Sequence, residues 1–177
     1  MSSVTEGLPP VRVLGIGSPF ALDCIGWDLL AALQRSQKLL PYLDNQLLLE
    51  SLDRPGAHLL RYFEGAEYVL LLDAVIDPGL VPGEARRYSI EKIRDAKLLP
   101  SSHGFGVQQA LSLAQALGQL PKQIEVLGVS IATVEDEGVA CEPKNIDWNG
   151  TISSLVACLE TELADICDLF IKRSVTS

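Results

Sequence analysis

Residues 11–33 read VRVLGIGSPFALDCIGWDLLAAL, and this stretch decides the fold. Residues 11–16 form an apolar run broken only by Arg12, as in a buried strand. Gly15 and Gly17 allow a tight backbone turn where a Cβ would clash. A loop over 17–23 follows, and then Ile25, Leu29, Leu30 and Leu33 recur at helical spacing, with Asp28, Gln34 and Arg35 elsewhere on the wheel. A strand, a glycine turn and an amphipathic helix are how a doubly wound α/β domain opens. Asp23 lies between the carboxyl end of that strand and the body of the helix. Ligands of open parallel sheets gather at strand carboxyl ends, so Asp23 is a ligand candidate. The position also suits a helix cap through its side-chain oxygen, and the stretch alone leaves both readings open.

The 177 residues are enough to bury a core without covalent staples, and 47% hydrophobic with 21% charged residues is globular composition. The expectation is a single domain over 1–177, with a core spanning about 11–172 and short polar tails. Twenty-three acidic against fourteen basic residues give a net charge of −9, and no Lys/Arg stripe is interleaved with aromatics. Nucleic acid is therefore not an expected partner. A basic peptide or a metal cation is the kind of ligand such a chain attracts.

The four cysteines, Cys24, Cys141, Cys158 and Cys167, show neither a CxxC pair nor zinc-ribbon spacing. Residues 1–10 are polar and proline-bearing, without the basic and apolar regions of a signal peptide, so the expected location is cytoplasmic, with reduced thiols. No apolar run reaches the roughly 18 residues of a membrane span. The most hydrophobic long segment, 152–171, contains Glu160, Glu162, Asp165 and Asp168 and reads as an amphipathic helix.

Past the first helix, Pro41 marks a break. Residues 46–52 read as a second strand, Asp53-Arg54-Pro55-Gly56 as a turn, and 57–63 as a short helix. Residues 68–72 are a continuous apolar run, the mark of a parallel strand covered on both faces, and Asp73 ends it. An Asx turn or a cap would account for Asp73, yet it is the second acid at a strand's carboxyl end. The loop 76–83 is dense in Pro and Gly. Residues 84–90 read as a further strand whose Arg86, Arg87 and Tyr88 suit an exposed edge.

Ser101 to Gly106 precede a helix with Val107, Ala110, Leu111, Ala114 and Leu117 on one face, stopped by Gly118 and Pro121. His103 thus falls at or just before a helix start. The other histidine, His58, has no chemical marker beside it and reads as a structural or surface residue. A buried strand over 124–130 leads to Glu135, Asp136 and Glu137, a solvated acidic loop. A helix over 151–172 closes the chain, with Ile152, Leu155, Val156, Leu159, Leu163, Ile166 and Phe170 as its core stripe. This order implies an α/β fold, a three-layer α/β/α sandwich around a mostly parallel central sheet.

Asp23, Asp73 and His103 lie on three loops that such a topology gathers at one end of the sheet. Two carboxylates and an imidazole suit nickel, zinc, iron or manganese, and three protein ligands with open positions characterise a functional rather than a closed structural site. There is no Gly-x-Ser-x-Gly elbow for serine chemistry, and the third glycine of a dinucleotide fingerprint is missing.

These residues resemble the hydrogenase maturation endopeptidases, which trim the C-terminal extension of the large subunit of nickel–iron hydrogenases. Four segments carry the likeness: Leu14-Gly15-Ile16-Gly17-Ser18 with Asp23-Cys24-Ile25-Gly26; Leu71-Leu72-Asp73-Ala74-Val75 with Pro82-Gly83; Ser101-Ser102-His103-Gly104-Phe105-Gly106 with Ala110-Leu111; and Pro121 through Val129. Together they span roughly residues 11–170, in matching order and spacing.

Ser18 stands where the family has Asn, and the opening loop is one residue shorter. Anchoring on the acid-x-x-Gly spacing to Gly26 assigns Asp23 to the first ligand position, whereas anchoring on the first glycines assigns Cys24. Asp53 matches the family's Asp-Gly-Gly turn but its neighbours do not, and the loop near Glu135 differs from the usual Pro-Glu stretch. The resemblance implies an endopeptidase acting on a nickel-loaded hydrogenase large-subunit precursor. Asp23, Asp73 and His103 would bind nickel supplied by that substrate, with no tightly held cofactor. Gly17 and Ser18 would meet the peptide, and Asp53 is the candidate catalytic base. The alternative is a non-catalytic metal-binding or chaperone-like homologue.

Overall fold

An unbroken apolar strand needs cover on both faces, and residues 68–72 receive it in the middle of a six-stranded sheet. The computed structural model describes residues 7–19, 21–94, 99–100, 104–134, 140–141 and 145–175. The chain runs through β1 (Val11–Gly17), a 3-10 turn (Ala21–Cys24), α1 (Ile25–Leu33), β2 (Leu47–Asp53), another 3-10 turn (Gly56–Leu59), α2 (Leu60–Phe63) and β3 (Tyr68–Ile76). It continues with β4 (Ala85–Tyr88), α3 (Ile90–Arg94), β5 (Leu99–Pro100), α4 (Gly104–Ala116), β6 (Gln123–Ser130), β7 (Thr133–Val134), β8 (Ala140–Cys141) and α5 (Trp148–Val175).

Strand order is β2-β1-β3-β6-β4, with β5 paired onto the end of β3. β2, β1, β3 and β6 are parallel, while β4 and β5 run antiparallel to β6 and β3. β7 and β8 form a separate ribbon. Side-chain alternation sorts the core into two layers. On one face Val11, Val13, Leu70 and Leu72 meet Leu29, Leu30 and Leu33 of α1 and Leu159 and Leu163 of α5. On the other, Leu14, Ile16, Val69 and Leu71 meet α2, α3 and α4 through Phe63, Ile93, Val107 and Leu111. This is the mostly parallel α/β/α sandwich that the sequence implies, and no described helix is long and apolar enough to cross a membrane.

Two glycines seat α1 directly on the sheet. A Cβ on Gly26 would lie 2.4 Å from the carbonyl oxygens of both Ile16 and Leu72, and one on Gly15 would lie 2.6 Å from the carbonyl oxygen of Gly26. Only glycine at both positions lets the helix start against the ends of β1 and β3. The turn bearing Asp23 is thereby carried to the carboxyl edge of the sheet.

Three expectations change. β3 does not stop at Asp73, because its pairing with β6 continues through Asp73↔Gly128 to Val75↔Ser130, and a backbone ladder tolerates one polar side chain. Residues 84–90 divide into an edge strand, β4, and the start of α3 at Ile90. Leu117 is 56% exposed rather than core. It follows the last residue of α4, where the chain turns through Gly118 at φ +66° and leaves the buried stripe. Glu135, Asp136 and Glu137 lie outside the described residues.

The connection from β3 to β4 is pinned by Asp77, which is buried. Its Oδ2 accepts hydrogen bonds from the Tyr88 hydroxyl at 2.6 Å and Arg86 Nη1 at 3.1 Å, and its Oδ1 accepts one from the Gly79 amide at 2.8 Å. Burial pushes the carboxyl up, but Tyr88, Gly79 and Arg86 outweigh it and hold Asp77 below its ordinary value. With the folded value below the unfolded one, the stabilisation is fully present above about pH 4 and is lost as pH falls through the folded value. Asp77→Asn is expected to cost about 1–2 kcal/mol at pH 7, and the gap from wild type in urea unfolding should close as the pH is lowered.

Candidate active site

The topology opens a crevice beside Asp73. β1 and β3 share register up to Gly15↔Leu72, after which β1 continues with β2 to Gly17↔Asp53 and β3 continues with β6 from Asp73↔Gly128. The chain leaves β1 toward β2 and leaves β3 toward the opposite side of the sheet. Such a switch point, outside the carboxyl ends of diverging strands, is where open α/β sheets take up ligands. Asp73 is the first β3 residue past the shared register, and it is 4% exposed.

Its carboxylate is held against its own preference. Burial pushes the Asp73 carboxyl up to about 8, against the pull of the Ala74 amide, which donates to Oδ1 at 2.8 Å. The negative charge of Asp23 adds to the upward shift, so the two acids lie within each other's electrostatic range. Asp23 lies in the 3-10 turn ahead of α1, and the N-cap residue of α1 is Cys24, which makes no side-chain cap bond. Trp27 secures this end of the helix by donating from Nε1 to the carbonyl of Leu52 at 3.1 Å.

The Cys24 thiol donates to Asp28 Oδ2 at 3.5 Å, and burial, then Asp28, then Asp23 push its pKa up. A thiol kept protonated in this way is a poor ligand and a poor nucleophile. Gly17 and Ser18 lie at the carboxyl end of β1, beside this switch point. A Cβ on Gly17 would come within 2.7 Å of the Asp23 carbonyl oxygen. Ser18 is 1% exposed, and its hydroxyl has no hydrogen-bond partner among the described residues. A buried hydroxyl without a partner costs stability unless something else supplies the bond.

Asp53 ends β2 opposite Gly17. Its carboxylate accepts from Arg54 Nε at 2.7 Å and Nη2 at 3.3 Å, a two-point pair at the surface. By alternation Asp53 shares the face of Leu47 and Leu49, which pack against the α1 layer, whereas Asp73 shares the face of Leu71 and Val75 on the α4 side. His103 lies outside the described residues; Gly104 after it starts α4, whose Gly106 approaches the backbone of Gly56, with an added Cβ only 3.7 Å from the Gly56 Cα. Among the described residues no group of three His, Cys, Asp or Glu side chains forms a metal site, and the arrangement they define is the Asp23–Asp73 pair.

An α/β sandwich with two acids at the switch point of a mostly parallel sheet is a domain of the doubly wound class. The comparisons with known proteins narrow this further. The family model for hydrogenase maturation protease matches residues 54–144. The chain is 33% identical over 132 residues to the hydrogenase expression/formation protein HoxM of Cupriavidus necator, covering 72% of this chain and 62% of that protein. It is 31% identical over 147 residues to HupD of Bradyrhizobium diazoefficiens, covering 81% of this chain and 68% of that one. Its fold is similar to the hydrogenase maturating endopeptidase HybD from E. coli, with a TM-score of 0.59 at 19% identity over 86% of this chain and 93% of the other. The chain belongs to the hydrogenase maturation protease family. It spans less than two thirds of the length of HoxM.

Proposed function

We propose that this protein is an endopeptidase that removes the C-terminal extension of a nickel-loaded [NiFe]-hydrogenase large-subunit precursor and reads the bound nickel as its recognition mark. The observation that supports this reading is the buried Asp73 at the switch point, its carboxyl raised by burial and by the charge of Asp23. Two carboxylates in one crevice, one of them buried, repel each other, and a divalent cation between them relieves both the repulsion and the desolvation. His103, the residue before Gly104 in the sequence, is the proposed third ligand. Carboxylate oxygens with an imidazole are a donor set that nickel accepts.

Asp23, Asp73 and His103 would hold the substrate's nickel, and the peptide beside it would meet Gly17 and Ser18, whose buried hydroxyl has no partner among the described residues. A cation at this position polarises a carbonyl or activates a water, the two services of a metal in hydrolysis. Asp53, already engaged by Arg54, is a weak candidate for the base.

The test is to incubate the protein with nickel-loaded and nickel-free large-subunit precursors and to follow the subunit's mass. Loss of the tail from the loaded sample alone is expected; binding without any mass change would replace the reading with a chaperone-like one. The same assay separates the two candidates for the first ligand. Asp23→Asn should slow processing by about a hundredfold or more, and Cys24→Ser should stay within about twofold of wild type.

A further inference from the structure

We infer that Arg54 is a carboxylate-recognition residue at the rim of the crevice, oriented by Asp53, and that it receives an acidic group of the peptide tail; the inference rests on the peptidase reading above. The first observation is the backbone. Arg54 has φ +42°, in the left-handed region that favours glycine, and its amide donates to the Gly17 carbonyl at 3.2 Å. A long side chain there costs about 1–2 kcal/mol. Its ion pair with Asp53 joins groups whose side chains are 55% and 48% exposed, and exposed pairs of that kind contribute roughly 0–1 kcal/mol. Stability therefore does not account for an arginine at this position.

The second observation is which edge of the guanidinium is used. Nε and Nη2 go to the two oxygens of Asp53, which fixes the plane of the group, and Nη1 has no partner among the described residues. The planar fork of arginine fits a second carboxylate through its remaining donors. The third is location. Asp53 is in register with Gly17, so Arg54 stands beside the carboxyl end of β1 and the unpartnered Ser18 hydroxyl. Over 18–24, 54–59 and 77–84, the connections that follow β1, β2 and β3, Arg54 is the sole Lys or Arg, against Asp23, Asp77 and Glu84. Arg86 of β4 also reaches the 77–84 connection but is spent on Asp77 and Gly79, so Arg54 is the cation there with donors left to select where along a bound peptide an anion falls. That anion has two sources with the same chemistry: the terminal carboxylate of the tail, or an Asp or Glu side chain within it.

The experiment measures binding of synthetic peptides carrying the last residues of a large-subunit precursor, to wild type, R54K and R54G. Three peptides are compared: the native tail, its C-terminal amide, and a version with Asp and Glu replaced by Asn and Gln. Glycine suits the left-handed backbone, so R54G should melt no lower than wild type. R54G is expected to bind the native peptide about tenfold more weakly, with R54K between. The loss should vanish on the one peptide that lacks the recognised carboxylate, which identifies the source, and should shrink in high salt. Equal affinity of wild type and R54G for all three peptides overturns the inference. Arg54-dependent binding in a protein that leaves nickel-loaded precursor uncut keeps the subsite and removes the peptidase reading. Cleavage by R54G with unchanged kcat and KM removes the subsite and keeps the peptidase.

Discussion

Replacing Asp73 with asparagine is expected to abolish the proposed tail removal and to make the metal-free protein more stable. Asparagine keeps the shape and the hydrogen bond with the Ala74 amide but carries no charge, so it cannot hold a cation. Removal of a ligand from such a site slows turnover by about a thousandfold or more. Stability moves the other way, and the sign follows from linkage. Burial and then Asp23 raise the folded carboxyl to about 8, above its ordinary value. Between the two values the folded state binds more protons than the unfolded state, so wild-type stability falls as pH rises from about 4 to 8. Asp73→Asn removes that slope. At pH 7 it should gain on the order of 4 kcal/mol in the metal-free protein, read as a higher urea midpoint, with wild type and mutant converging toward pH 4. A mutant that is both inactive and less stable at pH 7 would show that Asp73 is a structural carboxylate.

Arg12→Met should be the most damaging substitution distant from the site. Arg12 is 1% exposed in the first strand, yet its partners are all backbone carbonyls. Nε donates to Pro9 at 2.7 Å, Nη1 to Tyr62 at 2.7 Å and Glu64 at 2.8 Å, and Nη2 to Leu8 at 3.1 Å. The guanidinium thus closes the carboxyl end of α2 and ties down the chain ahead of β1, where the loops of the sheet's amino edge meet. Methionine fills much of the volume but strands four carbonyls without donors, at a cost of about 3–5 kcal/mol. A lysine cannot restore four bonds from one ammonium. Urea midpoints check the loss. Because Arg12 sits at the opposite end of β1 from Gly17, processing per folded molecule should stay within about twofold. A fall in that rate without a fall in stability would contradict the structural role.

The pattern of Arg12 shows where sequence reading reaches its limit. One charged residue in an apolar run was legible as an interruption, but two of its four acceptors lie 50 and 52 residues away, at the end of α2. Leu117 fits the helical stripe of α4 by spacing and is exposed because the helix ends one residue earlier. Asp53 could be matched to a motif, while its engagement by Arg54 depends on a left-handed turn that the motif does not encode.

Apolar periodicity and glycine spacing specified the strands, the faces of the helices and the α/β order, because each is set by neighbours within a few residues along the chain. They also singled out Asp23 and Asp73, since both acids follow strand-like runs. Register and close approach specified the rest. The shared pairing of β1 and β3 ends at Leu72, and Gly26 brings α1 down onto that point. Only this convergence sets two acids from segments fifty residues apart into one another's field, where burial first and then the charge of Asp23 raise the Asp73 carboxyl.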